Sequence, residues 1–207
     1  ALLKDVERAD SLKLAPLVYH SRRLLEGREL AITYGGTTPG KPVSFTLEQG
    51  GPLFLDGGNG AGKTSILRLV LGEEVPHTGT LRRASGLTIS YVPQGAGHLR
   101  GPLTQWIEGR GLDVTQCLTV LRKLGFSREL FARDMGEYSA GQKKKVLLAA
   151  SLCQRAHLYL WDEPLNYIDL FSRIQLEELI LRYRPTMLLV EHDRAFRDRV
   201  GTGCVTL

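Results

Sequence analysis

The sequence has no hydrophobic run that approaches the roughly 20 residues needed by a membrane-spanning helix. It also lacks a basic segment followed by an apolar core at its start, so no secretory signal is predicted. We therefore expect a cytoplasmic protein without stable membrane insertion. The chain begins with Ala1 instead of Met, and we expect it to be a piece of a longer polypeptide.

Cysteine is scarce in this sequence. Only Cys117, Cys153 and Cys204 occur, and their spacing fits no metal site. An odd and scattered set of cysteines is typical of reduced intracellular thiols and argues against a disulfide framework. The 5 histidines do not cluster either, which argues against a zinc site.

Acidic residues are outnumbered by basic ones, and the 207-residue chain carries a net charge of +5. The basic groups lie at residues 22–23, 82–83 and 143–145. The excess favours a polyanionic partner, although an ordinary basic surface would have the same composition. With 43% hydrophobic and 24% charged residues, the chain is long enough for one domain with a full core.

Short apolar runs alternate with helical patterns along the chain. Runs that are apolar on both faces predict a parallel sheet covered by helices. The predicted strands are residues 30–34, 43–47, 52–55, 88–92, 157–161 and 186–190. The predicted helices are residues 63–71, 114–124, 127–135, 140–153 and 170–183. No strand pattern occurs between Gln94 and Ser139, so we interpret this stretch as a helical insert in an α/β domain.

A glycine-rich loop follows the predicted strand 52–55. Gly57-x-x-x-x-Gly62-Lys63-Thr64 between a strand and a helix is the phosphate-binding motif. Its glycines let backbone N–H groups surround phosphate oxygens, and the helix N-terminus adds its dipole. Lys63 is predicted to reach the β- and γ-phosphates and Thr64 to bind Mg²⁺. The alternative is a glycine-rich turn that only starts a helix.

Two carboxylates, Asp162 and Glu163, follow the predicted strand 157–161. Ligands of open α/β sheets bind at the carboxyl ends of the strands. Asp162 is therefore predicted to hold Mg²⁺, and Glu163 to orient or deprotonate an attacking water. The alternative is a strand that simply ends in solvated acids.

A third motif, Ser139-x-Gly141-Gln142, precedes the carboxylates. Ser139 and Gln142 are spaced as a capping box, and a capped helix N-terminus beside a glycine can bind an anion. Together with the phosphate loop and the carboxylates, this element resembles the signature of ABC ATPases, which is close to Leu-Ser-Gly-Gly-Gln. Tyr138 replaces the Leu and Ala140 replaces the first Gly.

The resemblance to ABC ATPases implies roles for four further residues. It implies that Tyr34 stacks on adenine and that Gln94 senses Mg²⁺ and water. It also implies that Asp169 lies in a loop at a dimer interface and that His192 contacts the γ-phosphate. Each has a simpler alternative. Tyr34 could pack on a strand and Gln94 could occupy a turn. Asp169 could cap a helix, and His192 could be a satisfied polar residue at a strand end.

For the fold, the resemblance implies an α/β P-loop NTPase of the ABC type. This fold has a mainly parallel core sheet, a small antiparallel β subdomain and an α-helical insert. For the activity, the resemblance implies hydrolysis of ATP to ADP and phosphate with Mg²⁺ as cofactor. The residues assigned to ATP binding are Tyr34, Gly57, Asn59, Gly60, Ala61, Gly62, Lys63, Thr64 and Ser65. The catalytic residues assigned are Glu163, His192 and Gln94, and the Mg²⁺ ligands assigned are Thr64, Gln94 and Asp162.

ABC domains work as head-to-tail pairs. The resemblance therefore implies that the signature residues act on ATP bound by a partner; they are Ser139, Ala140, Gly141 and Gln142. The partner implied is a second ABC domain, in the same polypeptide or in a homodimer of this fragment. A single copy is expected to be a slow ATPase.

Four segments are similar to ABC-F proteins, especially those that protect ribosomes from antibiotics: residues 139–146 with their basic run, 158–167, 164–169 and 185–193. The similarity implies that residues 1–27 are the tail of an interdomain linker. It further implies that residues 28–207 are the second ABC domain, with the helical insert at about 95–138. The implied partner is the ribosome and its RNA. Leu165 and Tyr167 depart from the more usual Thr and His of ABC-F proteins.

The main alternative is the ATP-binding subunit of an ABC transporter, which predicts a groove on the insert for a membrane partner. A chromosome- or repair-associated clamp is disfavoured because the sequence contains no heptad run. A GTPase is disfavoured because no guanine-reading Asn-Lys-x-Asp motif follows the phosphate loop.

Overall fold

The computed structural model describes residues 11–207, which form two compact units. The sheet unit comprises Pro16–Gln94, Ala156–Glu163 and Arg184–Leu207. The helical unit comprises residues 11–15 together with Gly95–Arg155 and Pro164–Tyr183. Residues 1–10, which belong to the predicted linker tail, lie outside the described residues.

The strands all belong to the sheet unit. In chain order they are β1 (Arg23–Ile32), β2 (Val43–Glu48), β3 (Pro52–Asp56), β4 (His77–Arg83), β5 (Ile89–Val92), β6 (Leu158–Asp162), β7 (Met187–Val190) and β8 (Gly203–Thr206). The helices are α1 (Lys63–Leu71), α2 (Leu103–Glu108), α3 (Val114–Lys123), α4 (Ala140–Cys153), α5 (Leu170–Tyr183) and α6 (Arg194–Val200). Helices α1 and α6 lie in the sheet unit, and α2 to α5 lie in the helical unit.

Five strands form a parallel sheet in the order β5-β6-β7-β3-β8. Strands β6 and β7 are buried along their whole length, as expected for runs that are apolar on both faces. Val190 pairs with Leu55 on one side and with Asp162 on the other. The carboxyl ends of β3, β6 and β7 therefore lie side by side, which places the segments after them at one edge of the sheet.

The three remaining strands form an antiparallel sheet in the order β2-β1-β4. Residues of β2 alternate between buried and exposed, so one face of this sheet is covered. A single hydrophobic core joins both sheets to α1 and includes Leu30, Phe45, Ile66 and Leu160. Burial of each such side chain contributes about 1.5–3 kcal/mol.

The helical unit is built from short helices with well-defined starts. Asp113 caps α3 by accepting a hydrogen bond from the Gln116 N–H at 2.7 Å. Leu121, Leu124 and Met135 are fully buried and supply part of the apolar interior. None of the helices in the described part of the chain has both the length and the apolar character of a membrane span.

The predicted fold class is confirmed, with a parallel core sheet, a small antiparallel sheet and helices. The predicted helix over 127–135 is wrong, because the chain forms two separate 3-10 turns at Arg128–Ala132 and Met135–Glu137. Asp134 breaks the helix. Its carboxylate accepts hydrogen bonds from the N–H groups of Gly101 and Gly136, at 2.9 and 2.7 Å, and its backbone is extended.

Four elements of the structure were not predicted from the sequence, namely β4, β8, α2 and α6. Strand β4 is almost wholly exposed, so it has no apolar alternation. Strand β1 begins at Arg23, which is earlier than the predicted strand 30–34 and earlier than the predicted boundary between residues 27 and 28.

Candidate functional site

The glycine-rich loop lies between β3 and α1 in the sheet unit. Gly57, Gly60 and Gly62 all have positive φ angles, of 146°, 78° and 106°. A Cβ atom at position 62 would lie 2.9 Å from Ile32 Cγ1, so a side chain there would clash as well as strain the backbone. The buried Lys63 ammonium donates to the carbonyls of Gly57 at 2.6 Å and Gly58 at 2.8 Å. The backbone carbonyls of the loop therefore bind the ammonium of the loop's own lysine.

Thr64 and Asp162 meet beside the loop. The Thr64 hydroxyl donates to Asp162 Oδ2 at 2.6 Å, and Asp162 is completely buried. A hydroxyl and a carboxylate are hard oxygen ligands of the kind that Mg²⁺ prefers. Among residues 11–207 no group of three His, Cys, Asp or Glu side chains could hold a metal. The Thr64 and Asp162 oxygens suit Mg²⁺, which takes few protein ligands and completes its shell with phosphate and water oxygens.

Glu163 follows β6 in a left-handed conformation, with φ 49°. Its Oε2 accepts a hydrogen bond from Gln94 Nε2 at 3.0 Å, and its Oε1 lies 3.3 Å from His192 Nε2. Glu191 supports the histidine, since its carboxylate accepts from the His192 N–H at 2.9 Å. The carboxylate of Glu163 is therefore fixed from both sides while 17% of the side chain stays exposed.

Most of the predicted residues of the sheet unit line one cleft of about 540 Å³. Gly57, Ala61 and Asp162 are not among its lining residues, although Asp162 contacts Thr64. Its lining residues are Tyr34, Asn59, Gly60, Gly62, Lys63, Thr64, Ser65, Gln94, Glu163, Val190 and His192. Tyr34 is half exposed, and its hydroxyl forms a hydrogen bond with the Ser65 hydroxyl at the start of α1. The cleft thus holds a phosphate loop, an aromatic side chain and a fixed carboxylate.

The motif at residues 139–142 starts α4 in the helical unit. Ser139 Oγ accepts from the Gln142 N–H at 3.2 Å, and Gln142 Oε1 accepts from the Ser139 N–H at 2.9 Å. The predicted capping box is present. Ala140 is the first residue of the helix. The buried Tyr138 donates its hydroxyl to the Leu130 carbonyl at 2.6 Å, which gives the unusual tyrosine a structural role.

The loop at residues 164–169 is tied to the start of α4. A Cβ atom at Gly141 would lie 2.5 Å from the Tyr167 carbonyl oxygen, so only glycine allows this approach. Lys145 forms an ion pair with Asp169, with Nζ 2.6 Å from Oδ1. The helical unit therefore brings the predicted signature residues and Asp169 together.

Comparison with known families decides the identity of the chain. A family model described as ABC transporter matches residues 40–166, which contain the phosphate loop, the signature residues and both carboxylates. The chain belongs to this family of ABC ATP-binding domains.

Curated relatives of this ABC domain confirm the predicted resemblance to ABC-F proteins. Ribosome protection protein VmlR of Bacillus subtilis is 32% identical over 86% of this chain and 33% of its own length. Energy-dependent translational throttle protein EttA of Mycobacterium tuberculosis H37Rv is 30% identical over 82% of this chain and 32% of its own length. ATP-binding protein Uup of Caulobacter vibrioides is 29% identical over 90% of this chain and 32% of its own length. The chain spans about a third of the length of these relatives.

A solved structure supports the fold. The structure titled "Structure of ATP binding subunit of ABC transporter" superposes with a TM-score of 0.70 and 23% identity. The match covers 89% of this chain and 85% of that chain. At this level of identity the likeness establishes the ABC fold and nothing about the partner.

Two ion pairs of the ABC domain were missed by the sequence patterns. One joins Lys145 to Asp169, and the other joins Arg197 of α6 to Asp56 at the end of β3. The triple lysine was interpreted as a basic group similar to that of ABC-F proteins and not as part of an ion pair, although Lys144 is buried and Lys145 is mostly covered. The period of α4 could have indicated that adjacent lysines point in different directions.

Asp169 is expected to lose stabilising interactions in acid. Burial raises the pKa of Asp169, but hydrogen bonds from Lys145 and Ser172 outweigh it and lower the pKa to about 2. The charged form therefore contributes stability that is complete above the ordinary carboxyl pKa of about 4. That stability is lost as the pH falls through the folded-state pKa of about 2. Because the side chain is 48% exposed, we expect less than about 1 kcal/mol.

The measurement compares the free energy of unfolding of the wild type and of Asp169→Asn at several pH values. Asparagine keeps the ability to accept the Ser172 N–H, while it removes the charge and one of the two acceptor oxygens. The difference between the two proteins should shrink towards zero near the lowest pH. A difference that is independent of pH would contradict the assigned ion pair.

Proposed function

We propose that this ABC domain binds ATP and hydrolyses it to ADP and phosphate, as half of a cytoplasmic ABC-F protein that acts on the ribosome. The position of Glu163 carries the proposal. Its carboxylate lies between Gln94 and His192 in the same cleft as Lys63 and Thr64. A phosphate-binding loop and a fixed base therefore face one space, which is the arrangement that phosphoryl transfer to water requires.

In the proposed reaction, water attacks the γ-phosphorus in line with the bond to ADP, which breaks. Glu163 orients the water and accepts its proton. Gln94 and His192 hold the carboxylate in place through its two oxygens. Lys63 and the backbone N–H groups of the loop stabilise the negative charge of the phosphate oxygens.

Mg²⁺ is the proposed cofactor. Thr64, Asp162 and Gln94 would hold it, since all three carry oxygen donors and Thr64 already contacts Asp162. When bound, Mg²⁺ neutralises charge on the β- and γ-phosphates.

The start of α4 is proposed to act on ATP bound by a second ABC domain, in the same polypeptide or in a second copy of this chain. A capped helix N-terminus presents N–H groups and a positive dipole end to an anion. The tie between Lys145 and Asp169 would hold the loop 164–169 beside that helix. Residues 28–207 as the ABC domain, about 95–138 as its insert and 1–27 as a linker tail belong to the same proposal.

Two observations support the ribosome as the proposed partner: the names of the relatives and the basic charge of the helical unit. Two relatives are named as a ribosome protection protein and a translational throttle protein. The described residues of the helical unit contain 13 Lys and Arg against 8 Asp and Glu, whereas the sheet unit contains 12 against 11. A basic unit suits a polyanion such as ribosomal RNA. Protection from antibiotics is the more specific form of this proposal.

Phosphate release and ribosome binding test the proposal together. The chain is incubated with ATP in the presence of Mg²⁺, of excess EDTA, and of purified ribosomes that are then sedimented. We expect slow phosphate release that needs Mg²⁺, and we expect the chain in the ribosome pellet at low salt. No phosphate release, or release that persists in excess EDTA, would contradict the enzymatic part. A chain that stays in the supernatant at low salt would contradict the ribosomal part.

A further inference from the structure

Asp56 places a carboxylate directly before the phosphate loop. It is the last residue of β3, and Gly57 is the first glycine of the loop. Its Oδ1 accepts a hydrogen bond from the Gly57 N–H at 2.9 Å, and its Oδ2 lies 2.5 Å from the Arg197 guanidinium. The hydrogen bond with Arg197 holds the pKa of Asp56 below its usual range. The carboxylate is therefore charged and has two defined partners.

Arg197 is held against the end of β3 by the packing of α6. Asp193 caps the helix by accepting from the Phe196 N–H at 2.9 Å. The fully buried Phe196 packs edge-on against Phe54 of β3, with ring centroids 5.9 Å apart. The next residue along, Arg197, is consequently directed at Asp56 and is only 17% exposed. The guanidinium also lies 3.9 Å from the Cys204 sulfur.

The ion pair between Asp56 and Arg197 connects to Lys63 of the phosphate loop through one residue. Asp56 fixes the N–H of Gly57, and the carbonyl of the same glycine accepts the Lys63 ammonium at 2.6 Å. Gly57 adopts a φ of 146°, and because glycine has no Cβ atom its backbone has more conformational freedom than that of any other residue type. A side-chain bond that fixes this glycine therefore also helps to fix Lys63.

Electrostatics gives Arg197 a second role. A lone carboxylate beside the phosphate loop would repel the triphosphate of ATP, because like charges at short range repel each other. The positive guanidinium of Arg197 lies against the Asp56 carboxylate and offsets its negative charge. Helix α6 also begins two residues after His192, so the same pair joins the loop to the segment that carries the histidine.

We propose that Arg197 is a positioning residue for nucleotide binding, which neutralises Asp56 and holds its carboxylate on the Gly57 N–H so that the phosphate loop accepts the triphosphate. The inference rests on the proposed ATP-binding function of the cleft. It predicts that the charge of Asp56 becomes harmful when Arg197 is removed, and harmless when both charges are removed.

The test measures the dissociation constant of ATP for Arg197→Gln, Asp56→Asn and the double variant, at low and high salt. Arg197→Gln should weaken ATP binding roughly tenfold at low salt, a loss of about 1.4 kcal/mol in binding free energy. The loss should become smaller at high salt because ions screen the exposed carboxylate. Asp56→Asn keeps an acceptor for the Gly57 N–H and should bind ATP within about threefold of the wild type, as should the double variant.

Arg22→Gln is the matched control. Arg22 forms a 2.7 Å ion pair with Glu48 and is 82% exposed, so its loss removes a positive charge and an ion pair elsewhere in the same unit. ATP binding by this variant should equal that of the wild type. Arg197→Lys, which keeps the charge, should bind ATP within about threefold of the wild type. Thermal denaturation of every variant shows whether it is folded.

The outcomes separate the inference from the proposed function. If the wild type binds ATP and Arg197→Gln binds equally well, Arg197 has no positioning role. If the double variant stays as weak as Arg197→Gln, neutralisation of Asp56 is not its role. If Arg197→Gln does not fold, the double variant decides: binding close to that of Asp56→Asn supports the inference, and much weaker binding overturns it. A wild-type chain that does not bind ATP overturns both the proposed function and this inference.

Discussion

Replacement of Glu163 by Gln should lower the rate of ATP hydrolysis roughly 10²–10⁴-fold, the usual contribution of a general base. Glutamine has the same shape and can still accept from Gln94 Nε2, so the cleft should keep its geometry. It cannot accept a proton at neutral pH. Binding of ATP should therefore stay within a few-fold of the wild type, because Lys63 and the loop glycines are unchanged.

Phosphate release under saturating ATP measures the rate, and titration with ATP in the absence of turnover measures binding. Glu74→Gln provides the control, since Glu74 is an exposed acid of the same sheet unit. It should leave both quantities unchanged. Undiminished turnover in Glu163→Gln would remove Glu163 from the role of base, and equal losses of rate and affinity would indicate that it holds the nucleotide instead. In a protein with two ABC domains, the variant should also lengthen the lifetime of the closed, ATP-bound pair of domains.

The parallel sheet could be predicted from the sequence because burial on both faces leaves an unambiguous pattern. Strand β6 is five residues long and entirely buried, and its charged end at Asp162 marks where the strand stops. The antiparallel sheet was harder to predict. Strand β4 has one half-buried residue among seven, and such an edge strand looks like a polar loop.

The phosphate loop and the carboxylate pair could be anticipated because each is a local motif, whereas Tyr34, Gln94 and His192 were assigned through the family resemblance. The glycine spacing of the loop and the position of Asp162 and Glu163 at a strand end follow from short stretches of chain. The contacts that hold these parts in place could not be predicted. Arg197 lies 3 residues after the first residue of α6, a short helix that was not predicted from the sequence. Its partner Asp56 lies far away in the sequence. Pairing across such separations depends on the order of strands in the sheet, which one sequence does not reveal.

Removal of the Lys63 ammonium should weaken ATP binding at least roughly 30-fold, since loss of one member of a buried charged contact costs about 2–5 kcal/mol. Only 7% of the lysine is exposed, and its ammonium donates hydrogen bonds to the carbonyls of Gly57 and Gly58. In Lys63→Ala these two carbonyls lose their donor and the phosphates lose their nearest buried cation. Lys63→Arg should also bind ATP poorly, because the planar guanidinium does not replace a compact ammonium between two carbonyls.

Titration with a fluorescent ATP analogue measures the affinity of both variants, and competition with unlabelled ATP shows that the analogue occupies the same cleft. Lys13→Ala is the matched control, because it removes the same charge from an exposed position in the helical unit. It should bind ATP like the wild type. Binding by Lys63→Ala within a few-fold of the wild type would mean that the backbone of the loop binds the phosphates without the lysine. If ATP binding is lost in Lys63→Ala and kept in Glu163→Gln, Lys63 serves nucleotide binding and Glu163 serves the chemical step. Lys63 donates to the carbonyl of its own loop, as expected of a residue that binds phosphate, and Glu163 is held between Gln94 and His192, as expected of a base.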